Sequence, residues 1–122
     1  MNYTKFQLSG RLTRAPETTE TKAGKLTKIA IAINRKVGGE EHVSYLDIQG
    51  WDKVADRLAT FEKGQAGFFE GEIYQNTYEV KKDGKVVRDD EGKPLKRRDI
   101  QFKCYVCRYM SKPGNGGEDA PF

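Results

Sequence analysis

The chain has 122 residues, enough for one compact domain with its own core and too few for two domains of ordinary size. Hydrophobic residues make up 36% and charged residues 33%; no apolar run approaches the roughly eighteen residues of a membrane span, and Met1-Asn2-Tyr3-Thr4-Lys5 lacks the apolar stretch of a signal peptide, so no membrane partner and a cytoplasmic location are expected. The net charge is +4, and because Glu118 and Asp119 fall near the end, the body is more basic still, a surplus that favours a polyanionic partner through counterion release.

The first predicted strand runs from Tyr3 to Leu12. It alternates Phe6, Leu8 and Gly10 against Lys5, Gln7 and Ser9, until Pro16 and a Thr/Glu-rich stretch break it. After the Ala23-Gly24 turn, Leu26 to Asn34 sets Ile29, Ile31 and Ile33 on one face and Lys28, Ala30, Ala32 and Asn34 on the other. Gly38-Gly39 marks a loop, and Val43 to Trp51 forms a third strand with Leu46, Ile48 and Gly50 inward. The period then changes. Asp52 is placed to cap, Val54, Leu58 and Phe61 recur at helical spacing, and Gly64 sits where a helix would stop, which predicts a helix of about ten residues. Phe69, Gly71 and Ile73 begin a fourth strand running to about Tyr78, and Ile100, Phe102, Cys104 and Val106 define a fifth. Between them, Lys81 to Arg98 carries two turn signals, Asp83-Gly84 and Glu91-Gly92, and reads as an extended, partly hairpin-like basic arm. From Ser111 to Gly117 the composition is that of a flexible linker. The organisation is therefore a domain over 1–110 and a linker with an acidic tip over 111–122.

Five strands with one helix between the third and fourth predict an all-β, five-stranded OB-fold Greek-key barrel, a fold that binds oligonucleotides on the face of its second and third strands. Another small barrel satisfies the same order. Cys104 and Cys107 have C-x-x-C spacing, but three residues apart on a regular strand they point to opposite faces, and a zinc site needs a second ligand pair that this chain lacks. The expectation is two unpaired thiols, with no metal and no cofactor.

Candidate binding residues follow from strand parity. Tyr45 and Trp51 share the outward face of the third strand, about 20 Å apart at roughly 3.3 Å per residue, and Phe68, Tyr74 and Tyr78 share the outward parity of the fourth. Aromatic rings on the polar side of strands suit base stacking, which tolerates any sequence because every base has a π-face. The competing reading packs these rings under the arm, against the helix or across a subunit interface. Phosphate contacts are expected from Arg11, Arg35, Lys36, Lys81, Lys82, Lys85, Arg88, Lys96, Arg97 and Arg98, which would fix affinity without reading sequence. Glu70 and Glu72, outward on the fourth strand, oppose phosphate locally. Catalysis is not expected. Asp89, Asp90 and Glu91 beside Gly92 form a charged turn more readily than a divalent-metal nuclease centre, and His42 is the only histidine.

Phe6-Gln7-Leu8-Ser9-Gly10-Arg11-Leu12-Thr13-Arg14-Ala15-Pro16-Glu17 closely resembles the opening motif of bacterial and phage single-stranded DNA-binding proteins. Ala32-Ile33-Asn34-Arg35 is similar to that family as well, as is the helix followed by Lys63-Gly64 and then Phe69-Glu70-Gly71. The resemblance implies a homo-oligomeric OB-fold, usually a tetramer, that coats single strands during DNA replication, recombination and repair. It places Tyr45, Trp51 and Tyr78 at stacking positions, while Arg35-Lys36-Val37 stands where the family has a further aromatic. Glu118-Asp119-Ala120-Pro121-Phe122 resembles the family's acidic C-terminal tip, which implies that Glu118, Asp119, Pro121 and Phe122 dock replication and repair proteins. Two departures are visible: the linker is short, and the first strand's outer face is polar, which leaves a dimer or monomer open beside the tetramer. RNA is the alternative ligand of such a barrel, although no residue stands out as a reader of the 2′-hydroxyl.

Overall fold

The computed structural model describes residues 2–111. Within them the elements run β1 (Phe6–Leu12), β2 (Glu17–Thr21), β3 (Gly24–Val37), β4 (Glu40–Trp51), α1 (Lys53–Leu58), β5 (Ala66–Glu79), β6 (Lys81–Lys82), β7 (Lys85–Val86) and β8 (Lys96–Tyr109). One sheet has the order β1-β5-β8-β4-β3-β2, and it closes on itself because β1 also pairs with β3 at Arg11↔Ala32 and Leu12↔Ile31. The strands β1, β3, β4, β5 and β8 thus form the expected five-stranded barrel. Their neighbours are antiparallel except for the short parallel contact of β4 with β8, Ile48↔Phe102 and Gln49↔Lys103.

The alternation read from the sequence is what fills this barrel. Ile29 and Ile31 from β3, Ile48 from β4, Phe69 from β5 and Leu12 from β1 are all buried, and Leu58 and Phe61 bury from the side of the helix and the turn after it. Burying each such side chain contributes about 1.5–3 kcal/mol. The walls approach closely where there is no side chain. A Cβ on Gly10 would lie 2.6 Å from the Ala32 carbonyl oxygen, and one on Gly71 would lie 1.9 Å from that of Lys103.

Several expectations need correction. The Thr/Glu-rich stretch is itself a strand, β2, paired with β3 from Glu17↔Lys28 to Thr21↔Gly24. It is exposed throughout, so no apolar alternation announces it. The helix spans six residues rather than ten. Asp52 stands at its N-cap position without a side-chain capping bond; its carboxylate instead accepts the Lys25 backbone N–H at 3.3 Å. The arm, Lys81 to Arg98, is partly hairpin-like as expected: β5 and β8 stay paired out to Glu79↔Lys96, and only Lys96 to Arg98 of the arm belong to β8. Beyond that pair lie the β6–β7 hairpin, turning at Asp83-Gly84 with both residues at positive φ, and a second turn joined by the Arg88↔Pro94 bridge.

The two cysteines also depart from expectation. Along the β5–β8 ladder Glu70 faces Val106, but Gly71 faces Cys104, so Tyr105 is an extra residue on β8, a β-bulge. The bulge shifts the alternation by one. Cys104 and Cys107 then pair with Gly71 and Phe69, and both turn toward the core, Cys104 fully buried and Cys107 packed against the cluster.

Candidate nucleic-acid interface

The candidate site begins on the outer face of β4, where Tyr45 stands, and reaches β5 across β8. Tyr45 is 70% exposed, which leaves its ring available to a ligand rather than to this chain's own core. It is held in register by Ala32 on β3, and Ala32 faces Arg11 on β1, so a base and an aromatic lie along one row of the sheet. Four residues further along β4, past Asp47, the same parity holds Gln49, whose side chain is buried under its neighbours. Its side-chain amide donates to the Tyr74 hydroxyl on β5, fixing that ring from across β8. Tyr78 lies four residues beyond Tyr74 and pairs with Arg97.

Between the pair Ile48↔Phe102 and the free ends of the strands, β4 and β8 part. The gap is a cavity of about 550 Å³ lined by Lys28, Tyr45, Asp47, Gln49, Asp99 and Gln101 among others. Parity on β4 could have pointed to Asp47 and Gln49, which share the face of Tyr45 and Trp51. No aromatic or cationic signal marked them; Asp99 enters because β8 begins earlier than the expected fifth strand, and Gln101 is the polar position between Ile100 and Phe102 within it.

The predicted residues are not all brought together. Trp51 is half-buried at the far end of β4, paired with Leu26 next to the start of α1. Phe68 is half-buried in the row Ser9–Phe68–Arg108, six residues along β5 from Tyr74, about 20 Å away by strand rise. Arg35 and Lys36 flank the β3–β4 hairpin, paired with His42 and Glu41. Lys81, Lys82 and Lys85 sit on the β6–β7 hairpin, while the Arg88 guanidinium donates to the Gly92 carbonyl at 3.0 Å and braces the second turn. Lys96, Arg97 and Arg98 lie on the exposed part of β8, opposite Glu79, Tyr78 and Thr77. Glu118, Asp119, Pro121 and Phe122 lie outside the described residues.

Glu70 and Glu72 on β5 have partners of their own. Glu70 accepts from the Gln7 amide at 3.0 Å and pairs with Lys5 at 2.9 Å, and the Gln7 bond followed by the Lys5 bond holds its carboxyl below the usual carboxylate range. Glu72 accepts the Tyr105 hydroxyl at 2.6 Å, which pushes that phenol up to about 12. The Glu70 contacts lie between β1 and β5, whereas Glu72 stands in the row Glu72–Lys103–Gln49, two residues from Tyr74. Among the described residues no cluster of three or more His, Cys, Asp or Glu side chains is placed to hold a metal ion, and no helix is long and apolar enough to cross a membrane.

Comparison with known proteins adds a family. Two curated relatives from Thermus thermophilus, each named a single-stranded DNA-binding protein, are 32% identical over 73 residues. That stretch is 58% of this chain but only 28% and 27% of theirs. The crystal structure of a small single-stranded DNA-binding protein from Streptomyces coelicolor superposes with a TM-score of 0.62 over 89% of this chain and 95% of that one. At 11% identity this likeness shows a shared fold. The model of the single-strand binding protein family matches residues 3–91, most of the barrel, and this chain belongs to that family.

Proposed function

We propose that the protein binds single-stranded DNA without sequence preference and without catalysing a reaction on it, protecting it during replication, recombination and repair. Family membership implies single-stranded DNA binding. The observation that carries the mechanism is the outer face on which Tyr45 stands exposed and Gln49 holds Tyr74. Rings held in this way stack bases at about 1–3 kcal/mol each, whatever the base. Tyr78, Trp51 and Phe68 extend the platform toward either end. Arg11, Arg35 and Lys36, with the cations of the arm (Lys81, Lys82, Lys85, Arg88, Lys96, Arg97 and Arg98), hold the phosphates.

In this reading the acidic tip, Glu118, Asp119, Pro121 and Phe122, recruits replication and repair proteins. Its apolar ring and acidic groups suit a hydrophobic pocket with basic neighbours. The chain works as a homo-oligomer, a tetramer by family resemblance. Titration with oligo(dT) tests the proposal directly. Trp51 fluorescence should be quenched, binding should weaken steeply as salt rises, and single strands should be retained over duplex and RNA. Absence of any fluorescence or mobility change at low salt would sink it.

A further inference from the structure

The bulge at Tyr105 creates a thiol pair that DNA binding does not use. On a regular strand Cys104 and Cys107 would face opposite ways, yet here they occupy successive inward positions, opposite Gly71 and Phe69. Cys104 is 1% exposed. Its Sγ donates to the Val106 carbonyl at 3.1 Å, and the next inward side chain along β8 is Cys107. Cys107 is different. It opens onto a surface groove of about 400 Å³ that it lines with Asp56, Arg57, Thr60, Phe61 and Tyr109. One sulfur therefore meets solutes and the other stands behind it in the core.

We propose that Cys107 is a peroxide-reactive modification site and that Cys104 is its resolving thiol, the two closing to a disulfide inside one chain. The charges favour this division of labour. The neighbouring Cys104 thiol and then the positive charge of Arg57 hold the Cys107 thiol down, toward the reactive thiolate, whereas the neighbouring Cys107 thiol and burial push Cys104 up. In the first step the Cys107 thiolate attacks one oxygen of a hydroperoxide. An S–O bond forms, the O–O bond breaks, and the departing hydroxide or alkoxide takes a proton, leaving a sulfenic acid. In the second step the Cys104 sulfur attacks Cys107. The S–S bond forms, the S–O bond breaks, and the leaving oxygen departs as water with the Cys104 proton. Two thiols and one peroxide become one disulfide, one water and one further water or alcohol. Two sulfurs fall short of the four ligands of a structural zinc site, and no further ligand joins them among the described residues.

The pair is poised rather than permanently bridged. Both cysteines are free in this structure, and a disulfide needs the sulfurs to close to about 2.05 Å, which asks for adjustment at the bulge. A bridge with only two residues between its ends restrains little of the unfolded chain and should be readily reduced by a dithiol.

The test uses the full chain exposed to hydrogen peroxide, denatured, alkylated and weighed. Both thiols should become unavailable to the alkylating agent, the intact mass should fall by about 2 Da for the two hydrogens lost, and dithiothreitol should reverse both changes. Cys107→Ser should leave Cys104 reduced at the same peroxide dose, and Cys104→Ser should stop at a sulfenic acid that dimedone traps. Two alkylatable thiols in the peroxide-treated wild type overturn the proposal, and so does a disulfide between chains in place of one between Cys104 and Cys107. The wild-type measurement needs no variant, so it decides the question even if Cys104→Ser folds poorly.

Discussion

β5 and β8 are each 14 residues long, and each divides into two environments. From Ala66 to Ile73 the residues of β5 are buried or half-buried, with Phe69 against the core, whereas Tyr74 to Glu79 are all exposed. In β8 the order reverses: Lys96 to Ile100 are exposed, and burial sets in from Gln101 and deepens to Cys104. The hydrogen-bonded ladder between the strands runs through both parts. Pairing alone therefore does not decide where residues are buried. In the barrel part a second layer covers the inner face, and packing dictates side chains to the methyl group. The outer ribbon has no second layer; an isolated two-stranded ribbon is marginal in water, and this one is supported by its continuity with the barrel. Its rings and cations stand exposed.

The contrast between barrel and ribbon breaks if the two respond alike to truncation. Gly71→Ala should be the most damaging single change, because the new Cβ would meet the Lys103 carbonyl at 1.9 Å, where backbone rather than a flexible side chain must yield. We expect loss of the folded barrel by circular dichroism. Phe69→Ala should cost about 3–5 kcal/mol in denaturant unfolding. Ile100→Ala on the ribbon, where the side chain is 57% exposed, should change stability by no more than about 0.5 kcal/mol. Equal costs for Phe69 and Ile100 would mean that a layer covers the ribbon after all.

Binding should show the opposite ranking. Tyr45→Ala and Tyr74→Ala are each expected to weaken single-strand binding by about 1–3 kcal/mol while leaving the unfolding midpoint nearly unchanged. Gln49→Leu should approach the Tyr74→Ala loss, since it releases the ring's hydroxyl. Phe68→Ala, on the barrel part of β5, asks how far along the strand DNA runs. Charge comes next in size. Replacing Lys96, Arg97 and Arg98 together by Ser should lower the slope of log affinity against log salt by about 1 for each phosphate that these side chains neutralise. An unchanged slope would show that these cations stay in solvent.

The same division explains how far the sequence could be read. Barrel strands announce themselves because burial of one face imposes period two, as in Ile29, Ile31 and Ile33. β2 escapes because neither of its faces is buried, so Glu17 to Thr21 carry no apolar alternation although every residue is paired. The first four residues of β8, Lys96 to Asp99, escape for the same reason. The thiol pair is hidden because a bulge adds one residue without changing composition. Its cause is visible only across strands, where Gly71 allows the Lys103 carbonyl to come close. Tyr45 is legible from parity alone. The role of Gln49 is not, since an outward glutamine is ordinary until its partner from another strand is known.

The smallest expected effect lies on the β1–β5 edge of the barrel and distinguishes packing from surface charge. Lys5 and Glu70 pair at 2.9 Å with both side chains partly exposed, so the contribution is modest and screened by salt. Glu70 is held below the usual carboxylate range by Gln7 and then Lys5, so its native state binds a proton less readily than the unfolded chain. Its contribution is present above the unfolded carboxylate value of about 4.3 and is lost as pH falls through the lower native value. Lys5 is raised, chiefly by its hydrogen bond to Glu70, so its contribution is present below about 10.4 and is lost as pH rises through the higher native value. Between these windows the pair adds no pH dependence. Glu70→Gln should therefore flatten part of the acid limb of unfolding midpoint against pH and also remove the alkaline loss that Lys5 supplies, while the midpoint near neutrality shifts only slightly. If wild type and variant instead run parallel from acid to alkali, the pair is only a surface contact, and packing alone holds the edge of the barrel.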